Sequence, residues 1–343
     1  MCHPLLKTAI KSLEDEEIAQ IFYEYLAKKV SDNILSEKLR ELASMEASHT
    51  NFWRDFLKTR GLEPQASKFR KLVNLMLLKI TYRVFGLGFV IKLLEYGEAS
   101  TIDEYLSLVE SDYLSDHEKE LLTRIIKDET FHEIVLGEEE RRYKTFLDHV
   151  REIVLGMNDG LVEVLSVSAG LAGTFLSPLY VFAGGILVGV GGALSMGIGA
   201  YVSSKTSTQI TNEKIRRSKL LSKVGYAYSD KDAGAETVGE GVLDDEEVRK
   251  DPKKAGLYTG LSYFVGSLVP LLPYVLLIPP PISVITSFIS SAIALGLTGF
   301  VISVLGGLNI KRKILELLSL SMIAAATTYF IGRIANVVLG IEI

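Results

Sequence analysis

Apolar residues follow two patterns along this chain. Up to about residue 150 they recur at helical spacing among many charged residues, which predicts amphipathic helices at 8–30, 33–60, about 86–111 and 115–147. The boundaries have local signals. Ser31-Asp32 is a cap signal before Asn33, Gly61 and Pro64 stop the second helix, and Ser115 can cap the fourth. Beyond residue 150 the apolar positions merge into five runs, roughly 153–175, 178–203, 257–279, 283–306 and 314–340. Each is about 20 residues or longer, enough to cross a hydrocarbon core of about 30 Å. Five buried core helices would need a larger polar shell than this chain has. The expected fold is all-α: a four-helix bundle at 1–149 followed by a five-span membrane domain at 150–343.

Charge sharpens that division. The chain has 343 residues, 37 Lys+Arg, 42 Asp+Glu, a net charge of −5 and mean hydropathy +0.26. An acidic balance excludes a generic nucleic-acid binder. The single cysteine, Cys2, excludes a disulfide framework and a multi-cysteine metal site. All five histidines precede residue 153, and most charges of the second half fall within 205–254. The polar, acidic stretch Met1–Glu24 does not read as a signal peptide. Basic residues cluster before the first run (Arg141, Arg142, Lys144, Arg151), between the second and third (Lys205 to Lys254) and before the fifth (Lys311, Arg312, Lys313). The intervening loops at 176–178 and 279–281 are uncharged. The positive-inside rule then places the N-terminal half in the cytoplasm and the C-terminus on the opposite side.

Few charges fall deep in the apolar runs. Asp159 and Glu163 lie in the first, four apart and so on one helix face, and Arg333 lies in the last. Ionisable groups at that depth mark ion paths. The alternative for Asp159 is a cap on a helix broken around Asn158-Asp159-Gly160. Met196, among the glycines of the second run, is a packing residue or a soft thioether donor for a transition metal. In the polar stretch 204–256, Glu213, Glu236, Glu240, Glu246 and Glu247 are either loop metal ligands or a solvated acidic surface. The stretch 69–94 is apolar but interrupted by Arg70, Lys71, Lys79, Arg83 and Lys92. It reads as a basic amphipathic segment on a membrane surface or partner, or as a crossover feeding the third bundle helix.

The first half carries two Glu-x-x-His pairs, Glu46/His49 and Glu129/His132, on the second and fourth expected helices. At i, i+3 each pair presents a carboxylate and an imidazole to one side. Four-helix di-iron proteins combine two such pairs with a glutamate from each remaining helix. Glu17 on the first helix, flanked by Ile18, Ile21 and Phe22, and Glu95 with Glu98 on the third are the candidates. His3, His117 and His149 lack such partners and read as solvated.

Two resemblances follow. Residues 5–147 resemble rubrerythrin and other ferritin-like proteins through Glu17, Glu46, His49, Glu95, Glu98, Glu129 and His132. The resemblance implies two iron ions, and Mn(II) fits the same donors. The four-cysteine rubredoxin module of full rubrerythrin is missing, which removes the expected electron donor. Residues 150–343 resemble vacuolar iron transporters in Asn158-Asp-Gly-Leu161, the run 168–173, Gly-Ala-Leu-Ser-Met-Gly-Ile-Gly-Ala-Tyr at 192–201, Gly266 to Tyr274, and 324–332. That resemblance implies a dimeric five-span carrier of Fe(II) driven by proton exchange, with Asp159 and Met196 on the ion path. The 204–256 stretch is shorter than the metal-binding insertion of plant and yeast relatives, and Glu163 has no counterpart carried over from the plant ones. The leading expectation is a transporter moving Fe(II) out of the cytoplasm, its bundle capturing or sensing iron. The rival is a membrane-anchored di-iron oxidase or peroxidase.

Overall fold

The computed structural model describes residues 4–63, 68–111, 113–223, 251–278 and 282–340. Among these, every element is an α-helix: α1 (Pro4–Ala27), α2 (Asn33–Thr59), α3 (Lys68–Val109), α4 (Asp116–Arg142), α5 (Lys144–Thr174), α6 (Pro178–Lys223), α7 (Pro252–Val275), α8 (Ile282–Gly306) and α9 (Ile310–Leu339). The chain divides into two compact units, Met1–Lys144 and Thr145–Ile343.

In the first unit the helix ends are set by local chemistry. Asp32 accepts from the backbone of Ile34 and Leu35 at the start of α2. Ser115 and Glu118 form a reciprocal capping box on α4. The stretch expected as a membrane-surface segment or a crossover is continuous with the third helix, but a break at Gly86 (φ 76°, ψ −177°) divides α3 in two. Only glycine takes that conformation without strain. Before the break, Leu75, Leu78 and Tyr82 pack inward, while Phe69, Leu72, Met76, Ile80 and Val84 are exposed.

The bundle interior has two apolar clusters. Phe22, Tyr23, Leu26, Leu39, Leu42 and Leu136 belong to one, and Leu13, Trp53, Phe56, Tyr105 and Leu122 to the other. Glu16, Glu46, His49, Glu129 and His132 fall between these clusters in sequence on α1, α2 and α4, and all are buried. The second unit contains the five helices long and apolar enough to cross a membrane. Many of its large apolar side chains point outward, among them Leu187, Leu194, Ile198, Ile293, Leu297 and Val337. Small residues fill the inside. Gly197 meets Gly256 and Gly260 where α6 packs on α7, and a Cβ on Gly160 would overlap the carbonyl of Tyr263. Hydroxyls and amides tie the helices together: Ser287 donates to the Pro270 carbonyl at 2.7 Å, Thr328 to that of Ser166 at 2.5 Å, and Asn336 to that of Thr174 at 2.8 Å.

The end of the second run differs from the sequence reading. The second apolar run was expected to give way to a loop at 204, yet α6 continues to Lys223. Its polar end is sustained by pairs such as Glu213 with Arg216 and Arg217, spacings that support a helix without any apolar face. The alternative of a helix broken around Asn158-Asp159-Gly160 does not hold, because α5 runs unbroken from Lys144 to Thr174. Gly160 serves close packing on α7 instead.

Candidate metal centre and membrane carboxylates

The two Glu-x-x-His pairs face each other across α2 and α4. His49 Nδ1 lies 3.6 Å from Glu46 and 3.1 Å from Glu129, and His132 Nδ1 lies 3.4 Å from each of the same two carboxylates. Each glutamate turns one oxygen to His49 and the other to His132. The imidazole centroids are 5.8 Å apart. Glu46, Glu129, His49 and His132 are thus the residues that would hold metal between α2 and α4.

The α1 contribution differs from the sequence reading. Glu16, not Glu17, joins the cluster, 3.6 Å from His49 Nδ1. The metal-ligand atoms of Glu16, Glu46, His49 and Glu129 all lie within 4.8 Å of one another. Glu17 instead pairs with Arg54 at 3.0 Å and Lys71 at 2.9 Å. The buried face of α1 runs Ala9, Ser12, Leu13, Glu16, Tyr23, Leu26. That spacing was available in the sequence, whereas the residues adjacent to Glu17 pointed to the wrong turn. Glu95 lies apart from the four-residue cluster, held by Lys92 at 3.0 Å, which also binds Glu140 at 2.9 Å. The side chain of Glu98 lies outside the described residues.

Two groups missed from the sequence support the cluster. The buried hydroxyl of Tyr105 donates to Glu16 and accepts from Trp53 Nε1 at 3.0 Å. Asp128 stands 3.3 Å from His49 Nε2, on the ring edge away from the carboxylates. Metal-bound imidazoles are commonly oriented by a carboxylate on the opposite nitrogen.

The electrostatics follow from burial. Desolvation, then the carboxylates of Glu16 and Glu129, push Glu46 well above the ordinary carboxylate range. Burial alone would lower His49, but its contacts with Glu129, Glu16 and Glu46 outweigh it and hold the ring above the usual histidine range. Desolvation and Glu140 raise Glu95 to about 7 against the pull of Lys92. Glu17 moves the other way: Lys71 and Arg54 overcome its desolvation and hold it low. Despite these contacts, neither oxygen of Glu46 nor Nδ1 of His49 or His132 meets a partner in good hydrogen-bond geometry. Buried polar atoms left in this state are costly, and cations among them would remove the cost. Three carboxylates and two imidazoles suit Fe(II) or Mn(II). The residues present therefore fit a metal centre.

In the second unit, Asp159 and Glu163 both lie on an exposed face of α5, continued by Leu155. Tyr263 of α7, itself buried, donates a hydrogen bond of 2.5 Å to Glu163. Gly192 of α6 abuts the Tyr263 ring, and a Cβ there would collide with it. Met196, one turn further along α6, is half-buried. Glu213 is engaged with Arg216 and Arg217 on an exposed turn. Glu236, Glu240, Glu246 and Glu247 lie outside the described residues. His117 is exposed, while His149, read as solvated, packs edge-on against Tyr258 at 5.3 Å.

These features define a class: a ferritin-like bundle with a buried carboxylate–imidazole centre, joined to an integral membrane domain of five helices. Residues 5–140 match the Rubrerythrin family, and residues 150–232 and 220–333 match the VIT family. The chain belongs to the VIT family and carries a rubrerythrin-type ferritin-like domain at its N-terminal end. It is similar to vacuolar iron transporter 2 of Oryza sativa subsp. japonica, 26% identical over 210 residues that cover 53% of this chain and 85% of the relative. Vacuolar iron transporter 1 of Arabidopsis thaliana is 25% identical over 247 residues, covering 64% and 98%. Vacuolar iron transporter homolog 1 of Oryza sativa subsp. japonica is 31% identical over 182 residues, covering 52% and 71%.

Proposed function

We propose that this protein carries Fe(II) across a membrane, out of the cytoplasm and in exchange for protons, and that its ferritin-like domain captures or senses iron on the cytoplasmic side. The observation that carries the reading is the carboxylate pair on α5. Asp159 and Glu163 sit midway along a membrane-crossing helix, on a face that the other described residues leave open. Carboxylates facing lipid are strongly disfavoured, so such a face belongs against a second copy or a water-filled path. This supports a homodimer with the carboxylates along the route. A carboxylate must be free of its proton to bind a cation, so metal and proton compete for Asp159 and Glu163, and exchange follows from the chemistry. Met196 supplies a soft donor on the same route. The names of the relatives agree with iron as cargo, and the basic loops favour a cytoplasmic bundle. Proteoliposomes loaded with an Fe(II)-sensitive dye should show uptake with proton counterflow. Normal uptake by Asp159→Ala would sink the path.

A second reading has its own observation. A buried centre in which Glu46 and Glu129 each face both His49 and His132 has the donors for two ions, and two irons held there would supply redox chemistry toward O₂ or peroxide. In this reading Glu16, Glu46, His49, Glu129 and His132 bind and orient the ions, Glu95 is available once released from Lys92, and Tyr105 fixes Glu16. The membrane domain would then be chiefly an anchor. Peroxide or O₂ consumption by Glu46→Gln plus Glu129→Gln, compared with transport by the same variant, separates the two readings. Loss of consumption with intact, unregulated transport would assign the centre to oxidation or sensing, not delivery.

A further inference from the structure

A cavity of about 650 Å³ opens between the second half of α2 and the first part of α4. Its walls include the exposed residues Ser48, Asn51, Asp55 and His117, together with the half-buried Asp128, and His49 closes it. His49 is only 1% exposed, and its two ring nitrogens face different surroundings. Nδ1 meets Glu16, Glu46 and Glu129, while Nε2 meets Asp128 across 3.3 Å. The imidazole is thus a partition one ring thick between solvent and the buried carboxylates. The neighbouring carboxylate side chains change abruptly across it: Asp128 is 43% exposed and Glu129 is 1% exposed.

We propose that this cavity is the loading port of the metal centre. A divalent cation would first meet Asp128 and then pass into the centre as His49 turns aside, an inference that rests on the metal-centre reading above. Above and below the centre in sequence, α1, α2 and α4 contribute to apolar clusters around Phe22, Leu26 and Leu42, and around Leu13, Trp53 and Leu122. Neither provides a polar step for an ion that sheds water reluctantly. The cavity does. Its charged residues are Asp55, Glu118, Asp128, Arg124 and, when protonated, His117. Arg124 is compensated by Glu120 at 2.7 Å and Glu118 by Arg60 at 2.6 Å. Asp55 lies 3.9 Å from Lys58, which leaves Asp128, beside His49, as the carboxylate that draws a cation inward.

The test uses the metal-free full-length protein in detergent, mixed rapidly with Mn(II) while the free aqueous ion is followed by electron paramagnetic resonance. Ser48→Trp should obstruct the mouth and Asp128→Asn should remove the first carboxylate. Each should slow loading by about tenfold or more, with the final bound Mn(II) unchanged in Ser48→Trp. Wild-type loading rates in both variants would overturn the port. So would a reduced bound amount at an unchanged rate in Asp128→Asn, since that outcome makes Asp128 only a holder of His49. Failure of the wild-type protein to bind Mn(II) would instead overturn the metal centre itself, and the port with it.

Discussion

The hydroxyl of Tyr105 on α3 donates a hydrogen bond to Glu16 on α1, and Trp53 of α2 donates to the same hydroxyl. Three helices are therefore coupled at one carboxylate that faces the metal cluster. Glu17, its neighbour in sequence, instead makes ion pairs with Arg54 and Lys71. The two glutamates should respond differently to the same change. Glu16→Gln is expected to lower the bound metal, read by elemental analysis of purified protein. Glu17→Gln is expected to leave metal content intact and to cost about 0.2–1 kcal/mol of stability, as partly exposed ion pairs do. Tyr105→Phe should cost more, about 1–3 kcal/mol, because the buried indole of Trp53 loses its acceptor and Glu16 its donor.

Proton linkage gives the second expectation. Glu46 and His49 both have raised folded-state values. The stability each contributes to the metal-free protein is present below its unfolded value, near 4.5 for the carboxylate and 6.5 for the imidazole, and is lost as pH rises toward the folded value. Metal binding displaces those same protons, so affinity rises with pH. The melting temperature of metal-free protein should therefore fall relative to metal-loaded protein between about pH 5 and pH 8. Parallel thermal melts with and without Mn(II) measure the gap, and a gap that narrows with rising pH would contradict the assignment.

The paired Glu-x-x-His motifs were legible because i, i+3 spacing fixes a common helix face before any tertiary contact forms. The five apolar helices were legible because length and hydropathy are local properties. Relations set by packing were not. Choosing Glu16 over Glu17 depends on which turn of α1 meets His49. Asp128 is one acid among many on a polar helix until His49 is placed beside it. Tyr263 gains meaning only through Glu163, one hundred positions earlier. The extension of α6 to Lys223 escaped notice because ion pairs stabilise a polar helix without leaving an apolar period.

Tyr263 and Glu163 provide a test inside the membrane domain. The 2.5 Å hydrogen bond orients a carboxylate on the suggested route. Tyr263→Phe keeps the ring against Gly192 and removes only the hydroxyl. A hydrogen bond to a charged group contributes about 1.5–3 kcal/mol. Its loss should raise the half-saturating Fe(II) concentration by about tenfold, with maximal uptake less affected. An unchanged half-saturation constant in proteoliposomes would remove Tyr263 from the route.

Gly160 tests the packing that holds this arrangement in place. A Cβ at this position would overlap the Tyr263 carbonyl and lie 3.1 Å from the Ser267 backbone nitrogen. Backbone cannot rotate away as a flexible side chain could, so α5 and α7 would have to separate. Gly160→Ala should therefore destabilise the membrane domain by about 1–3 kcal/mol, the usual cost of overpacking. Gly191→Ala is the control, since nothing lies within 4 Å of a Cβ there. Fluorescence-detected size exclusion after a heating series should show Gly160→Ala losing its monodisperse peak at a lower temperature than Gly191→Ala. Equal thermal profiles would mean that α5 and α7 can part without cost, and the close approach would no longer account for glycine at 160.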